Sequence, residues 1–513
     1  MAANEVEVQS GRQIRYGAIV SYIAIVINIL AGVIYTPWII HHIGSGSYGL
    51  YTIAGSLISM FVMDFGISTA ISKYIAEYRA QGKEDKVDKL VNVAVQLYLL
   101  IDAALLVILV IVYFFLDVIY AKLTPEELEQ FRIVYIIVAS FNVISFPFIP
   151  LGGILSAYEK FIGLNLCDII NKVLTVVLTI VALSMGMGLY ALVTINAIVG
   201  LLVIAIKLCL MRKCVTVRID LRYRNKGILK DIFNFSIWVT VMVVTQRFIY
   251  NLTPSILGAL AGTVSAAVFG VASTLEGYSY SLGNVLSNMF LPKITRIMTK
   301  SDDGDELTEL MIRVGKIQLY ILGVILIGFI AVGKEFIYCW MGSSEYEPAY
   351  YCAVLLIAPN LFIWPMMIAV SALTAANRVK EHAIVNVCMA LINIILEFCL
   401  VPVYGLIGAA IAICISYCFR AAAMVVLYKK YLDIKLGTFV RKTYLRLFIP
   451  MILAFGTALA LGHIIPAGGW LMLAVKAAAI GTSYLVIIYC FGLNAQEKLW
   501  IKGRIRRKSD GTN

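Results

Sequence analysis

A few ionisable and amide side chains interrupt long apolar runs, and their types define the chemistry open to this chain. Arg247 stands near the middle of the run 231–257. A guanidinium at that depth costs roughly 2.5–3.5 kcal/mol on insertion scales, so it must face a polar cavity or an anionic partner rather than lipid. Glu276, at similar depth in the run 262–292, is the obvious mate for an ion pair. Lys172 is a second embedded cation, with Asp168 one turn earlier on the same helical face. A local salt bridge is the simple expectation for it, and contact with a ligand is the functional one. Lys476 lies in the run 469–491 and can snorkel to the interface. The embedded acids are Asp64, Asp102, Glu276 and Glu397. A carrier driven by a gradient needs a group that takes up a proton or sodium ion in one conformation and releases it in another. Asp64 and Glu276 are the candidates for that role; the structural alternative for Asp64 is a helix-end contact beside Gly66. Asn142 and Asn360 can line a cavity or hydrogen-bond between helices.

Other chemistries find no support in the residues. Asp/His clusters are absent and there are only four histidines, which speaks against a membrane-embedded transferase and against an enzyme generally. Ten cysteines show no metal-ligand spacing. Most lie in or beside apolar runs, where thiols commonly serve as packing residues; Cys339 and Cys352 share one outer loop, where a disulfide is the less favoured possibility. Gly328-Phe-Ile-Ala-Val-Gly333-Lys334-Glu335 lacks the Ser/Thr of a phosphate-binding loop and sits inside an apolar run. Asn251-Leu-Thr253 has the form of a glycosylation acceptor, but it too lies within a run. No metal, cofactor or ATP is expected. Transport would then run on an ion gradient, the membrane potential or the substrate's own gradient.

These residues sit on a chain of 513 residues, 61% apolar and 14% charged, against the roughly 25% charged usual for a soluble domain. Mean hydropathy is +0.90. A soluble fold of this size cannot bury so much apolar surface, which excludes most soluble enzymes, nucleic-acid modules and disulfide scaffolds. The net charge of +12 is carried in short loops as a topology signal, not as a nucleic-acid site. About 20 apolar residues cross a bilayer. Fourteen spans can be counted, at 16–42, 47–72, 88–117, 131–158, 162–185, 188–211, 231–257, 262–292, 311–333, 349–375, 381–401, 404–428, 443–465 and 469–491. The first is too long for a signal-peptide core, so it is expected to remain as a helix. Lysine and arginine crowd alternate loops: Lys73 to Lys89, Arg212 to Lys230, Lys293 to Lys300, Arg378 and Lys380, Lys429 to Lys442, and the tail. The other loops hold only Lys122, Arg132 and Lys334 among many acids. Both termini are therefore expected in the cytoplasm.

The first six spans resemble the next six at an offset near 218. Asn142 with Phe146-Pro147 matches Asn360 with Trp364-Pro365, and Leu155-Ser156-Ala157 matches Leu373-Thr374-Ala375. Thr36-Pro37 matches Thr253-Pro254, and Gly188-Leu189 matches Gly405-Leu406. An even number of spans per repeat gives both halves the same orientation, with a pseudo-two-fold axis along the membrane normal. The expected organisation is an N-lobe of six spans (1–211), a cytoplasmic linker (212–230), a C-lobe of six spans (231–430), a final helix pair (431–491) and a basic cytoplasmic tail (492–513). The prolines at 37, 147, 254 and 365 permit kinks.

Gly44-Ser-Gly46-Ser-Tyr48-Gly49-Leu50-Tyr51, followed by Asp64-Phe65-Gly66-Ile67-Ser68, resembles the polysaccharide-transporter branch of the multidrug/oligosaccharidyl-lipid/polysaccharide exporter superfamily. Span count, six-plus-six repeat and extra final pair extend that resemblance over nearly the whole chain. It implies an all-α polytopic membrane protein of 14 transmembrane helices in a MATE-like fold: two six-helix bundles plus a C-terminal pair. It also implies an oligosaccharide flippase of the bacterial cytoplasmic membrane, moving an undecaprenyl-diphosphate-linked sugar outward for surface-polysaccharide synthesis. Its partners would be the lipid-linked oligosaccharide, membrane lipids and the glycan polymerase and glycosyltransferases of that synthesis. Under this resemblance Arg247 anchors the diphosphate, while Lys172, Asn142 and Asn360 line the cavity. The alternatives are a cation-coupled multidrug or small-molecule exporter on the same fold, and a lipid II flippase. Basic residues that the lipid II flippases carry near the first two spans are missing here, where span 1 ends Thr36-Pro37-Trp38-Ile-Ile-His41-His42.

Overall fold

The computed structural model describes residues 2–62, 64, 66–214, 237, 240, 241, 244, 245, 251–290, 294, 297, 304–376, 378–494 and 498. Among these residues the regular structure is helical, with no β-strand. Nine helical segments of the described chain are long and apolar enough to cross a membrane. Their outward faces require lipid. The apolar windows of Glu84–Phe114, Pro125–Ala157 and Phe161–Ser184 are only 22% buried, and Leu100 and Phe114 stand 70% and 74% exposed. Soluble monomers rarely leave apolar patches of that extent in water. The chain is a multi-pass membrane protein.

Two long helices are each divided at a glycine. Val379–Tyr431 has 53 residues, about 80 Å at 1.5 Å per residue, well beyond the roughly 30 Å of hydrocarbon. It breaks at Gly405 (φ 55°, ψ −131°), a conformation that a Cβ disfavours. Ala2–Phe61 breaks likewise at Gly44 (φ 82°, ψ 160°). The sequence places span boundaries at or beside both positions. The expected span 47–72, however, is not one helix: it ends at Phe61, and Ile67–Ala80 begins after a turn at Gly66.

Of the repeat's prolines, Pro37 and Pro254 lie within helical runs, whereas Pro147 and Pro365 sit in short turns. Phe146–Phe148 and Trp364–Met366 are both 3-10 turns, at matching positions of the two halves. Pro147 and Pro365 sit at their centres, where the missing N–H interrupts the α-helical ladder. Gly44 and Gly262, also about 218 residues apart, share positive φ of 82° and 88°.

Contacts group the chain into two compact units. One comprises Met1–Val271 with Ala383–Ala412, the other Ala272–His382 with Ile413–Asn513. Within the first unit, a Cβ at Gly49 would lie 2.2 Å from the carbonyl oxygen of Thr263, so only glycine admits this backbone approach. Thr124 and Glu127 form a capping box that starts Pro125–Ser145. The same Glu127 carboxylate accepts from Thr263 Oγ1 at 2.8 Å, and Lys122 Nζ donates to the Leu260 carbonyl at 2.6 Å. Ser56 Oγ donates to the Asn251 carbonyl and meets Ser255 Oγ at 3.1 Å.

Within the second unit, Gly304–Met341 and Ser344–Ala375 are the inner elements, with windows 50% and 56% buried. Arg446–Ile464 and Gly469–Ile487 pack on Gly304–Met341 through Ile327, Val332, Ala454, Ala458, Leu473 and Ile480. Tyr484 Oη donates to the Tyr320 carbonyl at 2.9 Å. Lys476, expected to snorkel, instead turns inward: it is 1% exposed and donates to Glu335 Oε1 at 2.5 Å and to the Gly462 carbonyl at 3.1 Å. Removing one partner of a buried pair leaves an uncompensated charge and typically costs about 3–5 kcal/mol. Lys476→Ala should therefore lower the thermal midpoint of the detergent-solubilised protein markedly. Lys476→Met combined with Glu335→Gln should lose less than Lys476→Ala alone.

Candidate functional site

Glu276 and Asn360 come together. Both are buried, Glu276 on Thr263–Met289 and Asn360 just before the Trp364–Met366 turn. The Asn360 amide interacts with the Glu276 carboxylate. Glu276 Oε1 and Asn360 Nδ2 nonetheless lack a hydrogen bond of normal geometry, as does the buried Ser279 hydroxyl one turn along the same helix. Buried polar groups left under-satisfied in this way are costly in hydrocarbon unless a ligand, ion or water completes them. Close backbone packing at Gly283 against the Trp364 ring holds the two helices together. Arg247, the expected mate of Glu276, lies outside the described residues.

Asp64 is differently placed. Its backbone carbonyl accepts from Ile67 N at 3.0 Å. Its Oδ1 accepts from Ser68 Oγ at 2.8 Å and from the hydroxyl of the buried Tyr98. These bonds cap Ile67–Ala80 and tie the break at residues 62–66 to helix Glu84–Phe114. The geometry favours the helix-end role for Asp64 over a free ion-binding carboxylate.

Lys172 does not pair with Asp168. Asp168 instead meets Lys207 of the neighbouring helix Leu189–Cys214 at 3.4 Å. Lys172 is half-buried, 6.0 Å from the centre of the Tyr35 ring, and has no carboxylate partner among the described residues. Asn142 spends its amide on its own helix, donating to the Val138 carbonyl at 2.8 Å, and Ser145 Oγ donates to the Asn142 carbonyl at 3.0 Å.

Two further groups join the candidates. Glu397, noted among the embedded acids, is fully buried in the first unit, where one carboxylate oxygen accepts from Thr253 Oγ1 and from Asn393 Nδ2, the latter at 2.9 Å. Its Oε2 and the Asn393 Oδ1 have no hydrogen-bond partner. Two unpaired oxygen acceptors beside a threonine hydroxyl form a set suited to a hard monovalent cation or a proton. The i, i+4 spacing of Asn393 and Glu397 was visible in the sequence; the Thr253 partner, 144 residues away, was not. Arg420 sits half-buried in a run of apolar residues, beside the buried His382 and facing a small pocket with Phe362, Met366 and Tyr428. The rule that singles out Arg247 applies equally to Arg420.

Among the described residues, the chain is a helical membrane fold with broken helices and buried polar side chains. The family model described as "Polysaccharide biosynthesis protein" matches residues 14–298, more than half of the chain. The chain belongs to that family. No curated protein sequence matches it significantly. Among solved structures, an inward-closed lipid II flippase, MurJ, superposes with a TM-score of 0.72 at 15% identity, over 93% of this chain and 98% of that one. An inward-facing multidrug-resistance MATE transporter gives 0.65 at 15% identity, over 81% of this chain and 98% of that one. A superfamily transporter from Pyrococcus furiosus, titled for the reversed polarity of its binding pocket, gives 0.58 at 16% identity, over 83% and 96%.

The Glu397 pocket makes a direct expectation. Sodium binding, measured by calorimetry on purified protein, should be weakened at least tenfold by Glu397→Gln; if the pocket serves a proton instead, the same variant should lose proton uptake and leave sodium without effect.

Proposed function

We propose that this protein flips an undecaprenyl-diphosphate-linked oligosaccharide across the bacterial cytoplasmic membrane for surface-polysaccharide synthesis. The observation that carries this reading is the family match combined with the coverage of its structural neighbours. The flippase accounts for 93% of the chain, whereas the MATE transporter, itself almost wholly matched, accounts for 81%. The difference is close to the length of the segment 431–491. That final pair is firmly packed on Gly304–Met341 through a buried ion pair and an apolar cluster. In this reading there are fourteen spans with both termini in the cytoplasm, and the protein is a carrier rather than an enzyme. The N-lobe is 1–211 and the C-lobe 231–430; these lobes follow the repeat and cut across the contact units, in which 383–412 packs with the first half.

The physical problem is the headgroup. Each unpaired hydroxyl moved into an apolar medium costs on the order of 2–7 kcal/mol, and a bare diphosphate far more. The prenyl tail can stay in lipid while the head crosses a polar cavity. Arg247 is the candidate anchor for the diphosphate; Lys172 and Asn142 in the first unit, and Asn360 and Arg420 in the second, are the candidate contacts for the rest of the headgroup. Glycosyltransferases supply the cargo and a polymerase consumes it. The buried carboxylates Glu276 and Glu397 favour coupling to a proton or sodium gradient, where moving one charge gains about 2.3 kcal/mol per 100 mV. The same carboxylates support the second reading, a cation-coupled exporter of small organic molecules. A lipid II cargo is the third.

Arg247→Ala should abolish surface-polysaccharide export at unchanged protein level; normal export in that variant sinks the diphosphate anchor. Glu276→Gln should change how export responds to a protonophore and to sodium removal. An identical response in variant and wild type would remove Glu276 from coupling.

A further inference from the structure

A cleft separate from the embedded polar groups opens in the second unit, between the end of Gly304–Met341 and the turn joining Arg446–Ile464 to Gly469–Ile487. It has a volume of about 490 Å³ and is lined by Lys334, Glu335, Tyr338, Ser343, Glu347 and Gly468. Small-molecule sites commonly span roughly 300–1,000 Å³. Both loops that form it, 342–347 and 465–469, belong to the set poor in lysine and arginine, so the cleft faces the outer side of the membrane on the topology proposed above.

Its charges cancel. Lys334 Nζ lies 3.2 Å from Glu347 Oε1, and Lys476 Nζ lies 2.5 Å from Glu335 Oε1 beneath the floor. Each carboxylate is neutralised by an ammonium, so nothing in the cleft selects a phosphate or an acidic group. The remaining carboxylate lone pairs and the serine hydroxyls are directional partners for neutral hydroxyl and amide donors. Tyr338 stands 62% exposed and offers an open aromatic face to one wall. Phe336, next in sequence to Glu335, meets Trp470 edge-on at 6.4 Å and stacks on Trp340 at 5.3 Å. An aromatic face for the C–H side of a ring, with carboxylates and hydroxyls around its rim, is the complement of a neutral pyranose.

We propose that this cleft binds a neutral or N-acetylated sugar of the exported glycan at the outer membrane face, receiving the headgroup after it has crossed. The proposal rests on the flippase reading for the cargo and for the side of the membrane.

The test uses the full-length protein in lipid nanodiscs, with chitobiose and lactose as neutral probes and pyrophosphate as the anionic one, followed by saturation-transfer NMR. A chitobiose linked to a short prenyl diphosphate forms a parallel arm that separates free sugar from lipid-linked headgroup. Saturable binding of a neutral disaccharide is expected, undisturbed by pyrophosphate and weakened at least tenfold by Tyr338→Ala and by Glu347→Gln. Both side chains are exposed, and unchanged thermal midpoints will show that the variants fold. Arg247→Ala should bind the free disaccharides as wild type does. The proposal is overturned if neither neutral disaccharide binds saturably, or if binding is indifferent to both cleft variants. Disaccharide binding together with normal export in Arg247→Ala would remove the diphosphate anchor and leave the cleft standing.

Discussion

Hydrocarbon solvates neither charge nor unpaired hydrogen-bonding groups, and that constraint organises this molecule. An ionised side chain within a span must find a partner inside the protein or face a wet cavity. Lys476 meets the requirement with Glu335 and a backbone carbonyl, and in doing so attaches the last helices to the inner helix of their unit. Asp64 meets it by capping a helix that starts where another has broken. Among the described residues Glu276 Oε1 and Glu397 Oε2 have no hydrogen-bond partner, and Lys172 has no carboxylate partner. A polar atom left without a partner in lipid is expensive enough that its persistence calls for a ligand, an ion or water.

Backbone breaks follow the same logic. Proline turns at Phe146–Phe148 and Trp364–Met366 release carbonyls from the α-ladder, and the neighbouring asparagines and serines lie within a turn of them. In the first unit, polar bonds join neighbouring helices alongside apolar packing such as Gly258 against Ile53: Glu127 to Thr263, Lys122 to the Leu260 carbonyl, Ser56 to the Asn251 carbonyl. A hydrogen bond exchanged for water changes the free energy by only about 0.5–1.5 kcal/mol. In such contacts water can take the place of either partner. The approach of Gly49 to Thr263 adds shape complementarity that a single methyl group would destroy.

Charge is sorted by depth and by side. The embedded cations suit an anionic head passing through, while the cleft at the end of Gly304–Met341 carries matched charges and an aromatic wall. A diphosphate-linked sugar has both kinds of surface, one strongly anionic and one neutral and hydroxylated. On the flippase reading proposed above, one carrier would hold the two parts of its cargo at different places.

The helical class and the membrane-crossing character were legible in the sequence, because hydropathy is a local property summed along the chain. The repeat was legible too, since Asn142 with Pro147 and Asn360 with Pro365 recur in order, and both sites prove to be the same kind of turn. Intramembrane charge singled out Glu276 and Lys172 for the same local reason. Partnership was not legible. That Asp168 pairs with Lys207 and not with Lys172, that Lys476 reaches Glu335, that Thr253 bonds Glu397, and that span 2 ends at Phe61 all depend on which helix faces lie together. Helix–helix packing brings together residues more than a hundred positions apart, and only the tertiary structure decides which of many chemically equivalent partners stands within 3 Å.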